Sequence, residues 1–159
     1  MGDFRSHSWA TVYYGPESIV VAASAWKGFG VGVSGAATLT SLDEDDAAIG
    51  QLILDTIRSN PREVELEDVK VIKARLRQVA AMLGFPGKSA NAVADSALLG
   101  FDDNEVVATL WKAKPRGGAA LDALRLGTPA ADPAAIGSLI RQCHVRLATE
   151  AVTRSPRVL

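Results

Sequence analysis

Apolar and polar positions along the chain follow two periods. From Asp45 to Arg58, Ile49, Leu52, Ile53 and Ile57 recur at i, i+3, i+4 and i+8, the stripe of a helix with one buried face. Acids at its start suit the positive end of the helix dipole, Arg58 suits the other end, and Asn60-Pro61 stops it. A second helix is predicted from about Glu67 to Leu83. Its stripe is Val69, Ile72, Leu76, Val79 and Leu83, its wet side carries Lys70, Lys73, Arg75 and Arg77, and Gly84 terminates it. A last helix starts with Asp132 as cap and Pro133 in the first turn, and buries Ile136, Leu139, Ile140, Cys143 and Leu147. Ser89 caps a short helix through Ala94. The remaining apolar runs read as strands. Trp9–Tyr14 and Ile19–Ser24 form a hairpin around Gly15-Pro16-Glu17-Ser18, and Ala97–Phe101 and Glu105–Lys112 form another around Asp102-Asp103-Asn104. Lys27–Gly35 holds four glycines and reads as a loop or a loose third strand ending near Thr40; Leu121–Leu126 reads as one more strand.

Asp45-Asp46-Ala47-Ala48-Ile49-Gly50-Gln51-Leu52-Ile53 echoes Asp132-Pro133-Ala134-Ala135-Ile136-Gly137-Ser138-Leu139-Ile140. Each segment follows a strand-rich stretch. Glycine inside a helix costs about 1 kcal/mol relative to alanine, so Gly50 and Gly137, beside the apolar stripes, imply a close approach to the sheet. The pattern predicts two similar strand-then-helix halves joined by the second helix. The fold class is α+β, a mostly antiparallel sheet packed by three to four helices.

The length of 159 residues and the 48% hydrophobic content match one globular domain over 1–159, with ends fraying at 1–7 and 153–159. Cys143 is the sole cysteine, so no intramolecular disulfide forms, and neither a secretory leader nor a membrane-length apolar run is visible; the expected location is cytoplasmic. The net charge of −1 is unevenly spread. Asp43 to Asp68 holds nine acids against Arg58 and Arg62, enough to steer a cationic partner unless neighbouring segments average it out.

Candidate chemistry is sparse. Gly30-Val31-Gly32-Val33-Ser34-Gly35 matches the dinucleotide fingerprint in letters, but Ala36–Ser41 is not helix-like, and the fingerprint requires a helix directly after it. His144 and Cys143 are helical neighbours about 100° apart, which does not make a facing nucleophile–base pair. Asp43, Glu44, Asp45 and Asp46 lack calcium-loop spacing and suit a helix start. Trp9, Trp26 and Trp111 read as core residues, with Trp26 the most exposed and a candidate interface anchor. The sequence pI near 6.1 argues against a nucleic-acid module.

Trp9-Ala10-Thr11-Val12-Tyr13-Tyr14, Ala23-Ser24-Ala25-Trp26-Lys27-Gly28 and the helix Asp45-Asp46…Ile49-Gly50…Ile53-Leu54-Asp55 resemble the CdiI-type immunity proteins of contact-dependent growth inhibition systems. Lys88-Ser89, the hairpin around Asp102 to Glu105, and Pro133…Ile136-Gly137 extend the resemblance across residues 9 to 147 with gaps. The sequence departs from that pattern at Gly30–Gly35, where glycines replace a more helix-like stretch. The resemblance implies a bacterial, cytoplasmic, non-enzymatic toxin inhibitor. Its partner would be the C-terminal toxin domain of a cognate CdiA effector, often a nuclease acting on tRNA. No catalytic residue, cofactor or metal ligand is expected, and no direct contact with nucleic acid or membrane. A nuclease needs a basic groove, and a negatively charged surface binds such a groove fast and excludes its substrate. Asp43, Glu44, Asp45, Asp46, Glu63, Glu65, Glu67 and Asp68, with Trp26, are the candidate toxin-binding residues. Two alternatives stay open: a nucleotide-binding protein or enzyme using Gly30–Gly35, and a cytoplasmic adaptor with another partner.

Overall fold

A computed structural model of the protein describes residues 9–26, 31–59, 69–102, 105–114, 119–129 and 132–154. Three strands, β1 (Trp9–Tyr14), β2 (Ser18–Trp26) and β3 (Val31–Ser41), lead into helix α1 (Asp46–Ser59). Helices α2 (Val69–Met82) and α3 (Ala90–Val93) follow. A second set of three strands, β4 (Asp95–Asp102), β5 (Glu105–Lys112) and β6 (Ala119–Pro129), leads into helix α4 (Pro133–Arg154). The strands form one six-stranded antiparallel sheet in the order β3-β2-β1-β4-β5-β6. Each half is a meander followed by a helix, and the halves join where β1 pairs with β4.

The two halves are related by a local two-fold. Thr11 pairs with Leu98, and the flanking pairs Ala10–Leu99 and Val12–Ala97 become one another when the halves are exchanged. The spacing that takes Gly50 to Gly137 also takes Thr11 to Leu98, Ser18 to Glu105 and Asp46 to Pro133, so no insertion separates the repeats at these points. The two glycines mark where α1 and α4 touch. A Cβ on Gly50 would overlap the carbonyl of Pro133, and one on Gly137 would overlap the carbonyl of Asp46. Each glycine therefore admits the first residue of the opposite helix and not the sheet expected from the sequence, which accounts for glycine at both echoed positions.

Three helix ends follow the local chemistry of the sequence, while Ser89, expected to cap α3, makes no side-chain cap hydrogen bond. The Ala48 amide donates to Asp45 Oδ1 at 2.7 Å, and the Ala134 amide donates to Asp132 Oδ1 at 3.0 Å, so an aspartate caps both α1 and α4. Gly84 ends α2 with φ +96, the Phe85 amide donating to Ala80 O and the Gly84 amide to Ala81 O. That bonding pattern is a Schellman cap, and it requires the left-handed conformation glycine adopts without strain.

Strand alternation sends side chains to two layers. Toward α1 and α4 point Ala10, Val12, Tyr14, Ile19, Val21, Ala97, Leu99, Val106, Ala108 and Leu110, packed on Ile49, Ile53, Ile57, Ile136, Ile140 and Leu147. On the opposite face Tyr13, Val20, Ala22 and Val33 are covered by Val79, Ala80 and Leu83 of the α2 segment and by Ala90 and Ala94 around α3.

Several expectations change. Of the two readings of the glycine-rich stretch, the third strand is the one found: β3 includes Val31 to Gly35, with Val31 opposite Trp26 and Val33 opposite Ser24, and is interrupted by a register shift between Ala22 and Ser24 on β2. The strand expected over Leu121–Leu126 runs from Ala119 to Pro129. Helix α4 includes Thr153 and Arg154; residues 1–8 and 155–159 lie outside the described residues. Trp9 and Trp111 are half-buried, not core, since both lie on the part of the sheet that α2 does not cover.

Candidate functional site

The acidic turn between β3 and α1 is built from its backbone outward. The Leu42 amide donates to Glu17 O at 3.1 Å, and the Asp43 amide donates to the Ser41 hydroxyl at 3.0 Å. Arg141, from the first half of α4, reaches across to the turn. Its guanidinium donates to Asp46 Oδ1 at 2.5 Å, to Leu42 O at 2.6 Å, and to Glu44 O. One side chain thus binds two backbone carbonyls and a carboxylate, and the five fixed donors of arginine suit that task.

The four acids consequently divide. Asp45 spends one carboxylate oxygen on the helix cap. Asp46 is neutralised by Arg141, both side chains being 40% exposed, so solvent screens the pair and it adds about 0–1 kcal/mol. Asp43 and Glu44 are exposed, and among the described residues no hydrogen bond or ion pair engages their carboxylates. Three exposed carboxylates remain on a braced turn: Asp43, Glu44 and the cap residue Asp45. Glu63, Glu65, Glu67 and Asp68 lie outside the described residues, so the eight-acid surface is placed for its first four members. Trp26 is the last residue of β2, and its side chain lies outside the described set.

The other chemical candidates also find places. Cys143 is fully buried, and burial pushes its thiol up to about 12, the opposite of the depressed value a nucleophilic cysteine needs. His144 turns away to stack on Tyr14, ring centroids 5.0 Å apart and planes 6° apart, while the Tyr14 hydroxyl donates to Ile140 O at 2.9 Å. These groups join α4 to β1. His7 lies outside the described residues. Among the described residues, no three histidine, cysteine or acidic side chains gather as a metal site. No described helix is long and apolar enough to cross a membrane.

Two features were not foreseen. Arg141 sits among the apolar positions of α4, where the spacing that relates the halves places Leu54 in α1. A cation interrupting an otherwise repeated apolar stripe was the available signal. The second is the partly open sheet surface around Trp9, Leu98 and Trp111.

No protein-family model and no curated protein matches this sequence. The fold is shared with a protein of unknown function from Neisseria meningitidis. The two superpose with a TM-score of 0.71 at 15% sequence identity, over 89% of this chain and 96% of that one, a likeness of fold.

Proposed function

We propose that the protein is a toxin-neutralising binding partner of the CdiI immunity type, acting without catalysis in the cytoplasm. Its partner is the basic, nuclease-like C-terminal toxin domain of a cognate CdiA effector. The observation that carries the reading is the acidic turn: Asp43 and Glu44 project from a backbone that Arg141, Ser41 and Glu17 hold in place. A braced anionic turn loses little freedom on meeting a cationic groove, and its charge speeds encounter. The resemblance of the tryptophan-led first strand and the two echoed helix starts to immunity proteins supports the same reading. The nucleotide-binding alternative is not favoured, because Gly32 and Gly35 lie within a paired strand and eleven positions separate Gly35 from α1.

The test is binding of the toxin domain encoded beside this protein, by calorimetry and stopped flow at several salt concentrations. Asp43→Lys with Glu44→Lys is expected to weaken binding at least tenfold, chiefly through slower and less salt-sensitive association. These two positions carry the test, because substituting Asp45 or Asp46 also removes a helix cap or the Arg141 pair. Unchanged affinity and salt slope would remove the turn from the interface; failure of the wild-type protein to bind or protect cells would remove the immunity reading.

A further inference from the structure

The two halves meet through a reciprocal interface. The β1–β4 pairing maps onto itself when the halves are exchanged, and the contacts of Gly50 with Pro133 and of Gly137 with Asp46 map onto each other. Between the halves run α2 and α3, and these two helices belong to different sides. Helix α2 packs on Val20, Ala22 and Val33 of the first half. Helix α3 leads directly into β4 and is tied to the second half, the Lys114 amide donating to Asn91 O at 3.2 Å. One exposed turn, Gly84–Lys88, joins them. Gly84 and Gly87 reverse the chain there with φ +96 and +79, and a Cβ at either would meet nothing within 4 Å. Its backbone bonds are local: the Gly84 and Phe85 amides donate back to α2, and the Lys88 amide donates to Phe85 O.

We propose that the protein associates with a second copy of itself by exchanging residues 90–154, α3 through α4, across the Gly84–Lys88 turn. In the exchanged dimer each six-stranded sheet takes β1–β3 from one copy and β4–β6 from the other. Every contact between the halves is remade between copies, and only the turn changes, from reversed to extended. The balance is set by concentration, because the connecting segment favours closure within one chain and a high protein concentration favours pairing between chains. Charge selects which halves pair. Arg141 of α4 meets Asp46 and the carbonyls of Leu42 and Glu44, whereas the repeat-related position in α1 is Leu54. Two first halves placed together would set Asp46 opposite Leu54 and forfeit these bonds, so each first half takes a second half and the exchange closes at two copies. In that dimer Arg141 of one copy braces the acidic turn of the other.

The test refolds the full chain from urea at micromolar and at millimolar concentration and measures its mass by sedimentation. Dimer is expected after millimolar refolding and monomer after micromolar refolding. The dimer should outlast dilution, because reversal requires opening the shared core. Gly84→Val with Gly87→Val is expected to raise the dimer share, since a β-branched residue disfavours the left-handed turn and suits the extended one. A charge exchange identifies the interface. Asp46→Arg and Arg141→Asp each place like charges at the α1–α4 crossing of a single chain, but a mixed exchanged dimer pairs Arg with Asp at both crossings. Refolded together at millimolar concentration and weighed by native mass spectrometry, the two variants should give mixed dimer at roughly five times its statistical share, two exposed pairs each contributing a little. A wild-type chain that stays monomeric after millimolar refolding would overturn the proposal, whether or not the valine variant folds. So would a dimer in which the charge variants mix statistically, because its copies would meet through another surface. The toxin plays no part in these measurements, so this inference and the immunity reading can fail separately.

Discussion

Single residues carry unusual weight where the two halves meet. Gly50 and Gly137 each face the first residue of the opposite helix, and any side chain there collides with backbone, which cannot move aside as a flexible side chain can. Gly50→Ala or Gly137→Ala is expected to destabilise the protein by about 3 kcal/mol, despite alanine's better helix propensity, because overpacking exceeds the gain of about 1 kcal/mol. Urea unfolding of each variant measures this; a stabilised variant would disprove the close crossing. Cys143 offers a second test. Its thiol is raised by burial from 9.0 to about 12, and burial raises Tyr13 and Tyr14 as well. The unfolded chain therefore releases these protons first. Stability from Cys143 is intact below pH 9 and declines as pH rises from 9 to about 12, by about 1.4 kcal/mol per pH unit. Cys143→Ala is expected to flatten that decline between pH 9 and 10, before the tyrosines contribute, in denaturation curves taken at each pH.

Among elements, the two capped helices provide an internal control. Asp45 and Asp132 play the same part in repeated segments, so Asp45→Ala and Asp132→Ala should each cost about 1 kcal/mol. They should diverge in the acidic turn. The segment before α1 is also held by Arg141, so Arg141→Gln is expected to loosen residues 42–46 with little effect on the start of α4. Hydrogen exchange at the Asp43 and Glu44 amides, compared with those of Ala134 and Ala135, reads the difference. Equal exchange in variant and wild type would show that Ser41 and Glu17 suffice to hold the turn. The Lys112–Asp95 pair, at 2.8 Å and about a quarter exposed or less, closes the other end of the molecule: Lys112 also donates to Leu147 O and ties β5 to α4.

At the scale of the whole molecule, one continuous sheet and one core shared by α1 and α4 make the halves interdependent. The layer beneath those helices draws on β1, β2, β4 and β5 together. Neither half can bury its helix without the other, so unfolding is expected as a single transition, with tryptophan fluorescence and far-ultraviolet circular dichroism giving the same midpoint. Two separate midpoints would mean that the repeats fold independently. The same arrangement fills the sheet centre and the helix crossing, while the acidic turn meets solvent.

Periodicity and capping chemistry along the chain determined the helices, both hairpins, the α+β class and the division into two similar halves. These are short-range properties: a 3.6-residue stripe, an aspartate before a helix or a glycine after one acts through neighbours in the chain. The repeated interior glycines pointed to a close approach but to the wrong neighbour: the sheet was expected, and the opposite helix fills the space. Tertiary structure alone decided the rest. Gly32 became strand because Ala25 at the end of β2 pairs with it, a partner local pattern cannot name. Asp46 was paired with Arg141 and Asp45 drawn into a helix cap, so of four successive acids only Asp43 and Glu44 keep carboxylates that no described residue engages. Which sheet face α2 covers, and hence where Trp9 and Trp111 stay partly open, depends on long-range packing between segments remote in the chain.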